Sequence, residues 1–249
     1  MSPVRWIVAN NPSPMTLDGT RTYLVGSKRV AVIDPGPSLD EHIDAVADAV
    51  GSGVSATVLI THAHPDHSDA AFILAQRLGT HTTQLQDGDV ISTDSGELRA
   101  IATPGHTPDH FALHFPAESA VFCGDLMMGG LDTALVALPE GDLRDYLRSL
   151  TKLRALQPSV IFPAHGDPFY DADAAIDRYI QHRQERVAQV VQALQHGNQT
   201  ADGLTDDIYG AELDPRLRSY AASAIEAYLA YLAADGHAQI DRDGRWSLK

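Results

Sequence analysis

Residues 58–69 read VLITHAHPDHSD, which places His62, His64, Asp66 and His67 within six positions at the end of an apolar run. Imidazole nitrogen and carboxylate oxygen together suit zinc, iron or manganese, and the absence of a nearby thiol argues against a soft-metal site. One zinc rarely draws four ligands from so short a stretch, and a catalytic zinc keeps a position open for water. The cluster therefore reads as shared between two divalent ions, with further ligands arriving from elsewhere in the chain. A second stretch, TPGHTPDHFAL at 103–113, repeats Pro-Asp-His and adds His106 and His110. Two further runs have the same local grammar: SAVFCGD reaches Asp125, and SVIFPAHG reaches His165. Each is an apolar strand, then a small or rigid residue, then one ligand-type side chain. Loops at strand ends are where a rigid scaffold concentrates its binding groups.

The elements that must position these residues are short. VRWIVA, TYLVG and RVAVID are rich in β-branched and aromatic residues and are bounded by Asn, Pro and Gly, so they read as strands. PSLDEHIDAVADAVGSG predicts a helix with Ile43, Val46, Ala47 and Val50 on one face and Gly51 beyond its end. ATVLIT predicts a buried strand, and SDAAFILAQRLG a second helix, with Ser68 as N-cap and Gly79 as C-cap. Strands follow at DVIST, ELRAIATP, FALHFP and SAVFCGD, then a helix at GDLRDYLRSLTKLRAL and a strand at SVIFPA. Hairpin-like pairs beside longer crossovers predict mixed sheets covered by helices. His42 has no companions and is expected at the surface.

Beyond about residue 170 the pattern changes to a tail of three helices. The first is DADAAIDRYIQHRQERVAQVVQALQHG, and the second is TADGLTDDIYG, capped by Thr200. The third is PRLRSYAASAIEAYLAYLAADG, with Pro215 near its start, and a hairpin follows around Asp243-Gly244. Three helices and a hairpin resemble a winged-helix module. The expected division is thus 1–170 for the metal-binding domain and 171–249 for the C-terminal module. The third helix has Arg216 and Arg218 near its start, but also Glu226, Asp235 and an apolar middle. A lid, pocket wall or dimer contact is favoured over reading nucleic acid.

THAHPDH, PGHT, CGD and PAHG, in this order, resemble the metallo-β-lactamase superfamily over about residues 16–170. The resemblance implies an α/β (α+β) fold, a four-layer αββα sandwich of two mixed sheets with the metal site at one edge. It implies that His62, His64 and His106 hold one ion, that Asp66, His67 and His165 hold the other, and that Asp125 bridges them. Asp34, in VIDPG, matches an aspartate that supports the ligands from behind, and His110 is expected to act similarly. NPSPMTLDGTRTYLVG, PEGDLRDYLRSL and the helical tail are most similar to the β-lactamase-like protein 2 group. Class B β-lactamases of the commonest type carry cysteine where this chain has Asp125 and lack a metal-binding histidine at the position of His67. The resemblance therefore points away from antibiotic hydrolysis.

The expected cofactor is two divalent ions, with zinc first and iron or manganese as alternatives. A water bridging two such ions loses its proton near neutral pH and becomes a nucleophile. Asp66 is then a ligand first and a proton acceptor second. The expected activity is hydrolysis of a small ester, thioester or lactone, with Arg21, Met128 and Thr133 near the substrate. The alternatives are a single-strand-specific endoribonuclease using the same site and a winged-helix binding protein with a vestigial metal site. No Gly-x-Ser-x-Gly elbow is present, and Cys123 reads as a strand-buried thiol. A net charge of -15 disfavours broad binding to nucleic acid or anionic membrane, though single-stranded RNA stays open as a substrate. The N-terminus carries no apolar leader and no run reaches membrane-span length, so a cytoplasmic protein acting on a small molecule is expected. A homodimer is compatible with these features.

Overall fold

A computed structural model describes residues 3–197, 199–210 and 213–249. β1 (Val4–Val8), β2 (Arg21–Val25) and β3 (Arg29–Ile33) form an antiparallel meander. β4 (Ser55–Leu59) and the short β5 (Thr82–Thr83) extend it in parallel, giving the sheet order β1-β2-β3-β4-β5. β6 (Val90–Thr93), β7 (Gly96–Ala102), β8 (Phe111–Phe115), β9 (Ala120–Gly124) and β10 (Val160–Pro163) make the second sheet. Its order is β10-β9-β8-β7-β6, antiparallel except for the β10–β9 pair.

Side-chain alternation decides how these sheets stack. Tyr23, Val25, Ala31, Ile33 and Leu59 from the first sheet meet Leu98, Leu113, Phe115, Phe122 and Phe162 from the second in one buried cluster. The opposite face of the first sheet packs Leu24, Val30, Val32 and Val58 against α1 (Asp40–Val50) and α3 (Ala71–Arg77). The helix face expected on α1 does face inward through Ile43, Val46 and Val50. The outer face of the second sheet packs on α4 (Leu143–Ala155) and the C-terminal helices α5 (Ala172–Leu194), α6 (Ala201–Tyr209) and α7 (Arg218–Ala234). The result is a helix-sheet-sheet-helix sandwich. One cluster runs without interruption from Leu126 and Tyr146 through Ile176 and Tyr179 to Tyr228 and Leu229, so the C-terminal helices share the core of the second sheet. The tail ends in a hairpin, β11 (Ala238–Ile240) with β12 (Trp246–Leu248).

Local differences have local causes. The expected helix from Ser68 is two: α2 (Pro65–Ser68), starting at a proline in its first turn, then α3 from Ala71. Ser68 is not an N-cap, because its hydroxyl donates back to the Ala63 and His64 carbonyls at 3.1 and 3.0 Å. Thr200 does cap α6, accepting from the Gly203 amide at 3.1 Å. Pro215 opens a 3-10 turn rather than the helix itself, which begins at Arg218. His42 is buried, not at the surface. Its Nε2 lies 2.8 Å from the Thr22 hydroxyl, and burial pushes its pKa down. The helix face that presents Ile43 and Val46 to the core carries His42 in beside them.

Candidate metal centre

Several chain segments converge on one end of the sandwich. The turn after β4 supplies His62 and His64, and α2 supplies Asp66 and His67. The loops after β7, β9 and β10 supply His106, Asp125 and His165. These seven residues form two groups, His62-His64-His106-Asp125 and Asp66-His67-His165, with one ligand atom from each residue all within 4.8 Å of one another in each group. In the first, His64 Nδ1 lies 2.9 Å from His62 Nε2 and 3.1 Å from His106 Nε2. Asp125 stands between the groups. Its Oδ2 is 3.6 Å from His106 Nε2, and its Oδ1 is 3.2 Å from His165 Nε2 and 3.3 Å from His67 Nε2. His165 Nε2 is also 3.2 Å from Asp66 Oδ2.

The far side of each imidazole decides which nitrogen faces inward. His67 Nδ1 donates to Asp34 Oδ2 at 3.0 Å, and Asp34 also accepts from the Thr61 amide and hydroxyl. His106 Nδ1 donates to the Leu135 carbonyl at 2.7 Å, and His165 Nδ1 faces the Gly19 carbonyl at 3.3 Å. His64 is turned the other way round. Its Nε2 donates to Glu140 Oε2 at 2.9 Å, which leaves Nδ1 for the site. Such partners hold a ligand's tautomer and orientation. Glu140 has no sequence signal, because it lies 76 residues from His64 on a loop of no regular structure. Replacing it by Gln is expected to weaken the first group's metal affinity about tenfold. Calorimetric titration tests this, and unchanged affinity would dismiss the orienting role.

The buried atoms left without partners point to cations. His67 Nε2, His165 Nε2 and Asp125 Oδ1 are all buried with no hydrogen-bond partner, and all three face the same small space. Buried polar atoms are normally satisfied, so this convergence fits divalent ions in the gaps. Protonation follows the same logic. Burial lowers His67 and His165, but carboxylates together outweigh it, Asp125 and Asp34 at His67 and Asp125 and Asp66 at His165, and raise both, His165 to about 9. Asp125 is driven well below the usual carboxylate range: burial opposes this, but His165 and His67 dominate. His62 and His106 are pushed down chiefly by burial.

The repeated Pro-Asp-His has a supporting role. His110 is fully buried, donates through Nδ1 to the Thr103 hydroxyl at 2.8 Å and accepts the Asp125 amide on Nε2 at 3.2 Å. Burial and then His106 push its pKa down to about 3, so it stays neutral and can accept. Asp109 accepts the Ala63 amide at 3.1 Å, tying this loop to the His62 loop. His110 is in neither ligand group. Gly124 makes the close approach possible. At φ +51°, a Cβ there would lie 2.6 Å from His110 Nε2 and 2.8 Å from the Thr61 hydroxyl. Gly124→Ala is expected to cost about 1–2 kcal/mol in backbone strain alone, with the clash added, and to misplace Asp125. Melting and bound-metal assays together check it, and an unchanged value of both would refute it.

The cavity beside the first group has a volume of about 400 Å³ and is lined by His64, His106, Asp125, Met128, Leu135 and Tyr220 among others. Met128 lines this cavity. Thr133 lines a neighbouring cavity instead. Arg21 is in neither lining. It is buried, and its guanidinium forks onto both Asp18 carboxylate oxygens at 2.8 and 2.9 Å, with Asp167 at 3.3 Å. Ser219, Tyr220 and Ser223 of α7 also line the cavity, so α7 walls the site mouth.

A family model described as the metallo-beta-lactamase superfamily matches residues 80–165, which contain His106, Asp125 and His165. The chain is 32% identical to the beta-lactamase-like protein 2 homolog of Caenorhabditis elegans, across 92% of this chain and 84% of that protein. The chain belongs to the metallo-β-lactamase superfamily. It is also 34% identical to the lactamase-like protein adaB of Aspergillus niger over 76% of this chain, spanning 63% of that protein's length. A metallo-beta-lactamase family protein from Thermus thermophilus superimposes with a TM-score of 0.82 at 21% identity, covering 100% of this chain and 99% of that one. Whole-chain coverage means that the superfamily sandwich and its C-terminal helices recur together there. Members of the metallo-β-lactamase superfamily are generally hydrolases.

Proposed function

We propose that this protein is a binuclear metal-dependent hydrolase of a small ester, thioester or lactone. The observation that carries the reading is Asp125: one buried carboxylate, reaching imidazoles of both groups, with an unpartnered oxygen of its own facing the unpartnered Nε2 atoms of His67 and His165. His62, His64 and His106 would hold one divalent ion, and Asp66, His67 and His165 the other, with Asp125 shared. Bound there, the ions supply an acidified water and a Lewis acid for the attacked carbonyl. The chain's own residues then do three things. Asp34, Glu140 and the Leu135 carbonyl hold the ligand imidazoles in fixed tautomers. Asp66, more exposed than the other second-group ligands, faces the solvent side and can accept a proton there. Met128, Leu135 and Tyr220 line the cavity through which a substrate would reach the site.

The acidic balance and the pairing of the arginines at the start of the third tail helix support a small molecule over nucleic acid. Arg216 is held by Asp214 at 2.6 Å and Arg218 by Asp206 at 2.5 Å, leaving neither as a free cation for phosphate. No helix among the described residues is long and apolar enough to cross a membrane. The test is a panel of aryl esters, thioesters and lactones, with single-stranded RNA as a further substrate, before and after chelation and re-addition of zinc, iron or manganese. Turnover of esters restored by metal is the expected result. No bound metal, or ester turnover indifferent to chelation, would overturn the proposal, and metal-dependent RNA cleavage alone would replace it with the nuclease reading.

A further inference from the structure

A second cavity, with a volume of about 240 Å³, lies between the loop after Asp125 and helices α5–α7. It shares Met15, Met128, Leu135 and Tyr220 with the cavity at the metal centre, so the two adjoin across these side chains. Its further walls are mostly apolar, including Leu131, Val136, Leu217, Ala221 and Ala224, with Thr133 and His182 among them. Two arginines complete it. Arg183 is buried, donating to the Tyr228 hydroxyl at 2.8 Å and to the Ala134 carbonyl, with its guanidinium 4.9 Å from the centre of the Tyr146 ring. Arg186 is half-buried, with its guanidinium 4.4 Å from the centre of the Tyr209 ring and Gln189 Oε1 at 2.8 Å. Neither pairs with a carboxylate among the described residues. The chain has 33 acidic residues to 18 basic, and other helix arginines, Arg77, Arg144, Arg154, Arg178 and Arg218, all meet carboxylates. Two arginines spared from pairing at one apolar cavity mark a place for an anion supplied from outside.

We propose that this cavity receives an apolar arm of the substrate bearing an anionic end. The cleavable bond then lies at the metal centre, the arm passes Met128, Leu135 and Tyr220, and its charge meets Arg186. This rests on the hydrolase reading and narrows its substrate class to half-esters or thioesters of dicarboxylic acids and similar acyl anions. Each methylene buried along the way strengthens productive binding about fourfold.

The experiment compares 4-nitrophenyl acetate, 4-nitrophenyl octanoate and the mono-4-nitrophenyl ester of octanedioic acid on the metal-loaded protein. The expected order of kcat/KM is octanedioate, then octanoate, then acetate, with about tenfold between the first two. Arg186→Glu should reverse the octanedioate–octanoate preference. Ala224→Phe, which fills the cavity, should lower the ratio of octanoate to acetate. Arg186 is half-exposed, so its variant keeps the test alive if Ala224→Phe fails to fold. Calorimetric binding of octanedioate against octanoate provides a readout that needs no turnover. If no ester is cleaved but octanedioate binds more tightly than octanoate, and Arg186→Glu removes the difference, the cavity stands and the hydrolase reading falls. If esters are cleaved with no dependence on chain length, the cavity proposal falls and the hydrolase reading stands. Length dependence with no effect of the terminal charge would overturn the anionic end.

Discussion

Asp125→Asn is expected to strip the protein of tightly bound metal and to lower ester turnover by about 10³-fold, the equivalent of several kcal/mol. The amide is nearly the same shape, so the effect isolates charge. Among the described residues, Asp125 is the only carboxylate that touches ligand nitrogens of both groups. Neutralising it removes half the negative charge that two divalent ions would meet, leaving Asp66 alone among the seven ligands. It also removes the carboxylate that raises His67 and His165, so both should titrate lower in the metal-free variant. Elemental analysis, steady-state kinetics and imidazole proton titration by NMR cover the three consequences. A variant that keeps two ions per chain and wild-type turnover would remove Asp125 from the centre of the mechanism.

The second large effect is on stability, and its direction depends on metal. In the metal-free protein, His165 has a folded pKa of about 9, above its value in an unfolded chain. Its contribution is therefore fully present below about pH 6.5 and is lost as pH rises through about 9, on the order of 3 kcal/mol. His67 is raised by the Asp125 and Asp34 carboxylates and acts in the same direction. Metal loading must displace these protons, so ligation favours high pH and the loaded protein loses stability on acidification instead. Melting temperature between about pH 6.5 and 9 should fall for the chelated protein and hold or rise for the loaded one. Parallel curves would show that these histidines are not the groups that metal and protons compete for. The same competition predicts proton release on metal binding, measurable by titration in buffers of different ionisation enthalpy.

The pH argument depends on carboxylates from three separate segments meeting two histidines, and that shows what kind of fact a sequence holds. His62, His64, Asp66 and His67 can be read directly because β4 and the turn after it are contiguous, and strand-end spacing is local. His106, Asp125 and His165 are legible for the same reason, each following an apolar strand through a small or rigid residue. Mixed sheets covered by helices are legible too, since period-two and helical patterns reflect burial on one face, whereas their stacking as a four-layer sandwich came from the resemblance. The short β5 is not, because Thr82–Thr83 has too little length to show any period.

What spacing cannot carry is which loop meets which. Arg21 has the type of a substrate-binding residue, yet Asp18 three positions earlier occupies its fork. His42 has the look of a surface histidine, yet its helix face turns it into the core beside Thr22. The second Pro-Asp-His repeats the residues of the first, but only the fold shows what His110 touches: it spends both nitrogens on Thr103 and the Asp125 amide. Glu140 and Leu135 orient His64 and His106 from a loop without periodicity, and α7 reaches the site mouth from the far end of the chain. By itself the sequence determined the ligand chemistry and the layers that carry it, because both are written in residue types at short range. Only the tertiary structure decided the outer partners, the tautomers and the walls, because those depend on the paths of distant loops, where a few ångströms separate a hydrogen bond from none.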